Sequence, residues 1–122
     1  MATAKETFLR AFNEAFMSGD RDAVLASVTD DVQWHLIGEE KIEGKAAFEE
    51  ALNRMHQHDN VTLSIDTMIT HGVTAAVEGK IHVNTEQGEK IYAFCDTYRF
   101  NKHKDGMIKQ IHSFIIEEQK GI

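Results

Sequence analysis

The 122-residue chain contains no proline and a single cysteine. No proline-rich tract, repeat or low-complexity segment marks a linker, so residues 1–122 read as one domain. A lone cysteine, Cys95, cannot close an internal disulfide, which fits a reducing compartment and points to the cytoplasm. Basic residues are few: 13 Lys and Arg against 20 Asp and Glu give a formal net charge of −7. Nucleic acid is therefore not an expected partner, because phosphate binding needs a basic surface. No apolar run approaches the roughly 18 residues needed to span a membrane. The N-terminus, Met1-Ala2-Thr3-Ala4-Lys5-Glu6, lacks the apolar core of a signal peptide. What is present is an ordinary globular composition, 42% hydrophobic and 27% charged, in a chain long enough to bury a core.

The stretch from Lys90 to Phe100 reads as a long β-strand. Side chains alternate faces along a strand. One face carries Tyr92, Phe94, Asp96, Tyr98 and Phe100; the other carries Ala93, Cys95, Thr97 and Arg99. A carboxylate thus sits within a row of aromatic rings. Rings do not solvate it, so its neutral form is favoured unless a cation is close. Such a residue is either a functional acid or one half of a buried pair.

Around this strand the pattern is helices first, then strands. Apolar spacing predicts a helix over 3–18, with Phe8, Leu9, Phe12, Ala15 and Phe16 on one stripe. A second helix is predicted over about 20–28, broken by Thr29-Asp30-Asp31. Val32–Leu36 alternates as a strand, with Val32, Trp34 and Leu36 on one face. Gly38–Gly44 reads as a charged connection with one apolar point, Ile42. A third helix is expected over Lys45–His58, burying Phe48, Ala51, Leu52 and Met55. Four strands follow at Val61–His71, Val73–Asn84, Glu89–Asn101 and Met107–Glu117. Helices segregated from a strand meander define an α+β class, with three N-terminal helices packed on a strongly curved, mainly antiparallel sheet.

Two-residue turns at Gln87-Gly88 and Asp105-Gly106 set a trial register. They place Asp96 opposite Gly79 on one side and Ile115 on the other, with Tyr98 beside Ser113 and Phe100 beside Ile111. The same logic at His71-Gly72 would turn Asp66 and Met68 inward and Leu63 and Ile65 outward, so a longer loop or a bulge is expected there. Gly79 would leave space beside the carboxylate. A gap lined by Trp34, Ile81, Phe94, Tyr98, Ile111 and Ile115 would be an apolar pocket with one acid in its wall.

These segments resemble the NTF2-like superfamily, which includes ketosteroid isomerases and SnoaL-like polyketide cyclases. The resemblance is carried by Ser18-Gly19-Asp20, by Asp30-Asp31-Val32-Gln33-Trp34-His35, by Gly44 opening the third helix, and above all by Cys95-Asp96-Thr97-Tyr98-Arg99-Phe100 followed by Asp105-Gly106-Met107-Ile108. It implies a cone-shaped fold. It places Asp96 on the strand position of the isomerase oxyanion-hole aspartic acid. Phe12 falls where the isomerase has a tyrosine, and Leu36 or His35 where it has its general base. It also implies a homodimer packed sheet on sheet through the outer face that carries Lys80, His82, Thr97, Arg99, Gln110 and His112.

The functional expectation is an enzyme of isomerase, cyclase or hydratase type acting on an apolar small molecule. Asp96 would be the acid or oxyanion donor, and His35 a candidate base because imidazole titrates near neutrality. Strict alternation, however, puts His35 on the face away from Trp34. The expected lining is Phe12, Trp34, Leu36, Gly79, Ile81, Phe94, Tyr98, Ile111, Ser113 and Ile115. No cofactor is expected. No metal site is expected either: His56 and His58 are two apart near a helix end, and His82 and His112 face outward. The competing expectation is a non-catalytic binder or a dimerising interaction module, because one acid without a base is incomplete machinery.

Overall fold

The computed structural model describes residues 3–55 and 61–118. Helix α1 (Ala4–Ser18) starts at a capping box: the Thr3 hydroxyl accepts the Glu6 N–H at 3.1 Å and the Glu6 carboxylate accepts the Thr3 N–H at 3.1 Å. The pair satisfies two backbone donors that a helix start leaves without partners. The helix ends at Gly19, whose φ of 82° suits a residue without a Cβ. Asp20 then caps the short α2 (Arg21–Ala26). Two strands, β1 (Val28–Leu36) and β2 (Glu40–Glu43), precede α3 (Lys45–Met55). The meander β3 (Val61–His71), β4 (Thr74–Thr85), β5 (Gly88–Phe100) and β6 (Ile108–Glu117) completes the chain.

The strands form one six-stranded sheet in the order β2-β1-β6-β5-β4-β3, which does not close. Its inner face is apolar: Val32, Trp34, Val77, Phe94, Tyr98, Phe100, Ile108 and Ile111 are all buried. Helix α1 lays Leu9 and Phe12 on this face, and α3 lays Phe48, Ala51 and Leu52 there. The ring of Phe48 packs 5.2 Å from Trp34, and Phe12 meets Tyr98 edge-on at 6.1 Å. Burying each such large side chain contributes about 1.5–3 kcal/mol, so the sheet and helices are held by one continuous core. Among the described residues no helix is long and apolar enough to cross a membrane.

Several expectations are corrected. The helices are not three at the N-terminus: α1 is long, α2 has 6 residues, and α3 follows two strands. The Thr29-Asp30-Asp31 segment is not a break but part of β1, anchored where Val28 pairs with Ile108 and both are fully buried. The charged Gly38–Gly44 connection contains the edge strand β2, whose one inward residue, Ile42, pairs with Trp34. Charged residues on the remaining positions suit an edge that must not recruit another chain. The end of the expected third helix, with His56 and His58, lies outside the described residues, as does the Met55 side chain.

The hairpin registers are each shifted by two residues. Thr85 pairs with Gly88, so the tight turn is Glu86-Gln87, and Gly88 (φ 116°) opens β5. Between β5 and β6 the charged stretch Lys102–Asp105 stays in an open loop, closed by the Asn101 and Met107 backbones and by the Asn101 side chain on the Met107 N–H. Asp96 therefore pairs with Val77 and Ser113, not with Gly79 and Ile115. A shift of two leaves every side chain on its expected face. The bulge expected in the first hairpin is present: register changes between Ile65 and Thr67, which turns Leu63, Ile65 and Met68 onto the inner face together.

Candidate active site

The pocket is built where α1 crosses the inner face of β5 and β6. Central-strand alternation points Phe94, Asp96 and Tyr98 at the helix, and the β6 register sets Ser113 directly beside Asp96. The cavity there measures about 60 Å3, room for a few waters or the polar end of a small ligand. Its floor holds Asp96, Tyr98, Ser113 and Asn13; its apolar wall includes Phe12, Trp34, Phe94 and Ile111. Phe16, Met17, Leu63, Ile81 and Ile115 complete the lining, and Ile115 is 49% exposed.

Asp96 is the only carboxylate in this lining. Burial pushes its carboxyl up from the ordinary 3.8 to about 6. Two hydroxyls oppose burial by donating to the charged form, from Ser113 and from Tyr98, the latter at 3.3 Å. Each hydroxyl oxygen in turn accepts a bond. Trp34 Nε1–H donates to Ser113 Oγ at 2.9 Å. Asn13 Nδ2 donates to the Tyr98 hydroxyl oxygen at 3.2 Å and to the Leu9 carbonyl at 2.9 Å. Among the described residues no buried side-chain polar atom lacks a partner. Burial and the neighbouring Asp96 charge hold the Tyr98 hydroxyl well above its usual range, so it remains a neutral donor. A carboxyl poised near neutrality in an apolar, hydrogen-bonded floor can exchange a proton with a ligand oxygen.

The structure brings Asp96 together with Phe12, Trp34, Ile81, Phe94, Tyr98, Ile111, Ser113 and Ile115. It does not bring Leu36, which is buried elsewhere in the core. Gly79 is not a gap beside the carboxylate: it pairs with Phe94, and a Cβ there would overlap the Ser64 carbonyl oxygen and lie 3.0 Å from the Phe94 ring. The space left by the missing side chain is taken up by β3 and by that ring. His35 is on the outer face, its ring 5.6 Å from that of His112 and edge-on to it, and does not reach the cavity. Cys95 also faces outward; burial and the charges of Asp96 and Glu78 raise its thiol, which makes it a poor nucleophile. Among the described residues no group of three or more His, Cys, Asp or Glu is placed to hold a metal ion.

Asn13 is the polar floor residue that sequence reasoning misses. Its signal was a polar side chain inside an apolar helical stripe, four residues from Leu9 and next to Phe12. Phe16, Met17 and Leu63 are lining residues that the strand and helix patterns do not single out as such. A larger groove of about 310 Å3 runs along the outer face past His71, Arg99 and His112, but it is open and contains no acid. The smaller cavity is the better candidate for proton chemistry because it alone of the two holds an acid among apolar walls, and at about 60 Å3 it takes one polar end of a ligand rather than a whole ring compound.

A long capped helix folded over an open six-stranded sheet, with one acid in an apolar cavity between them, defines an NTF2-like protein. Residues 9–111 match the SnoaL-like domain model, and the chain belongs to that family. An NTF2-like protein of unknown function from Cytophaga hutchinsonii is 32% identical, with a TM-score of 0.75 over 91% of this chain and 98% of that one. An LEH-like epoxide hydrolase from M. tuberculosis is similar in fold, at 20% identity and a TM-score of 0.75, over 90% and 80% of the two chains. So is a Mycobacterium tuberculosis protein in complex with estradiol-17beta-hemisuccinate, at 21% identity and a TM-score of 0.68, over 88% and 90%. No match was found among curated proteins.

Proposed function

We propose that this protein is a small enzyme that binds a neutral, largely apolar compound by one oxygen and transfers a proton to that oxygen from Asp96. The observation that carries the reading is the half-buried Asp96 carboxyl, raised to about 6 by the apolar cavity it faces. In its protonated form it donates to a carbonyl, ether or epoxide oxygen as negative charge develops there. Low local polarity strengthens that interaction relative to water. Isomerisation of an enone, cyclisation and hydration of an epoxide all need this step. The likeness to an epoxide hydrolase-like fold and to an estradiol-derivative complex supports the choice of ligand class.

The test is turnover of a panel of neutral epoxides and cyclic enones by the wild type and by Asp96→Asn. The wild type should turn over at least one, with kcat/KM falling as pH rises through about 6, and the variant should lose the activity by about 100-fold or more. Equal rates for the two proteins would end the reading. A second reading, a non-catalytic binder, is favoured by one feature: apart from Asp96 and Tyr98, no titratable side chain lines the cavity. It predicts binding of neutral ligands without turnover, with affinity barely changed in Asp96→Asn.

The reading includes a homodimer through the outer sheet face. Support comes from the apolar side chains exposed there: Phe114 at 43%, Ile116 at 71% and Ile69 at 61%. Phe114 and Ile116 are neighbours on β6, and exposed apolar side chains of this size on one sheet face suit a contact with a second copy.

A further inference from the structure

We infer that Asn13 is a positioning residue of this pocket: anchored on the Leu9 carbonyl, it holds the oxygen of the Tyr98 hydroxyl and so turns that hydroxyl's hydrogen onto Asp96. The inference rests on the reading of Asp96 as the proton carrier and names the residue that directs one of its two partners.

The argument is one of donors and acceptors. Asn13 is 7% exposed, on the inner face of α1. A carbonyl has no hydrogen to give, so the Asn13 nitrogen, not its oxygen, must face Leu9 at 2.9 Å. That contact fixes the orientation of the amide and leaves its second N–H for Tyr98, at 3.2 Å. The Tyr98 oxygen then accepts, and its own hydrogen is left for the nearest acceptor, Asp96 Oδ2. At 3.3 Å this last bond is long for a hydroxyl on a carboxylate, so it depends on the hydroxyl being aimed. An apolar residue at position 13 would suit the surrounding core, and a buried amide is costly unless bonded. The two bonds it makes are what the position gains from being asparagine.

A second chain of the same polarity arrives from the other side. The indole N–H of Trp34 can only donate, so Ser113 Oγ accepts it, and the β5–β6 register sets that hydroxyl beside Asp96. Two fixed donors, Asn13 and Trp34, thus occupy the oxygens of the two hydroxyls that stand beside one carboxylate. Both chains favour the ionised acid and oppose its burial, and bonds in such chains polarise one another. Trp34 also packs against Phe16 and Phe48, so its replacement would disturb the core. Asn13 is the arm that can be tested cleanly.

The experiment follows the Asp96 carboxyl carbon by NMR titration in the wild type, Asn13→Leu, Tyr98→Phe and the double variant. No substrate is involved, so a failed turnover screen would sink the enzymatic reading without touching this result, and the reverse also holds. Asn13→Leu should raise the Asp96 pKa by roughly 0.5–1, less than deleting the Tyr98 hydroxyl outright, because that hydroxyl remains and only loses its fixed aim. Tyr98→Phe should raise it as well, and Asn13→Leu should add nothing in that background, because its path runs through the missing hydroxyl. Asn13→Ala serves as a second variant if the leucine overpacks the site. An unchanged Asp96 titration in a folded Asn13 variant, or an equal rise with and without the Tyr98 hydroxyl, would overturn the inference.

Discussion

Replacing Asp96 with asparagine should remove a pH dependence from folding stability. In the folded chain this carboxyl titrates at about 6, against 3.8 for an ordinary aspartate. The folded state therefore holds the proton more tightly than the unfolded chain does. Below the unfolded value both states are protonated and the contribution is fully present. As pH rises to the folded value and past it, the unfolded chain ionises first and stability is lost. A difference of about 2 in pKa corresponds to about 3 kcal/mol. Asparagine keeps the shape and cannot ionise. Placing an amide between the Tyr98 and Ser113 hydroxyls has its own cost, but that cost does not vary with pH. Urea unfolding of both proteins, followed by the fluorescence of the buried Trp34, should be measured between about pH 3.5 and 7.5. The stability of Asp96→Asn relative to wild type should improve by about 3 kcal/mol across that range. Parallel pH profiles, with a gap constant to within about 1 kcal/mol, would refute the claim that burial raises this group.

Gly79→Ala should destabilise the fold by at least about 2 kcal/mol in the same assay, because the new methyl meets the rigid Ser64 carbonyl as well as the Phe94 ring. Thr3→Ala removes one half of the capping box on α1 and should cost about 1 kcal/mol, read as a lower urea midpoint with an unchanged slope. The proposed dimer predicts that the wild type should sediment as a dimer and Phe114→Lys with Ile116→Lys as a monomer, while the circular dichroism spectrum stays the same.

The parts of this structure that were legible in sequence are those with long, unbroken periodicity. Strand β5 alternates rings and small residues, and that alone set Asp96 among aromatic side chains on the inner face. Its face survived a register error because both hairpins slipped by two, an even number. The absolute register was not legible. Gly88 looked like a turn residue but opens the strand, and Asp105-Gly106 lies within a wider loop that no local pattern distinguishes from a tight turn. The parallel pairing of β1 with β6 joins segments far apart in the chain and leaves no local mark. Strand β2 offers only Ile42 as an inward residue, too little to show a period. In the pocket, the acid was evident from its ring neighbours. Asn13 was not, because a single polar residue on an apolar stripe usually reads as a solvated edge, and only the position of Tyr98 across the core gives it a partner. Gly79 was read as an opening when it is a close approach, a difference that depends on which residue stands opposite.

The account stands on the protonation of one group, and a carbon-detected titration of the Asp96 carboxyl in the wild-type protein measures it directly. The prediction is a midpoint near 6, moving upward when a neutral apolar ligand fills the cavity and shields the carboxyl further from solvent. A midpoint at or below the ordinary 3.8, unmoved by any such ligand, would show that the carboxylate is solvated or paired with a cation and carries no proton to a substrate.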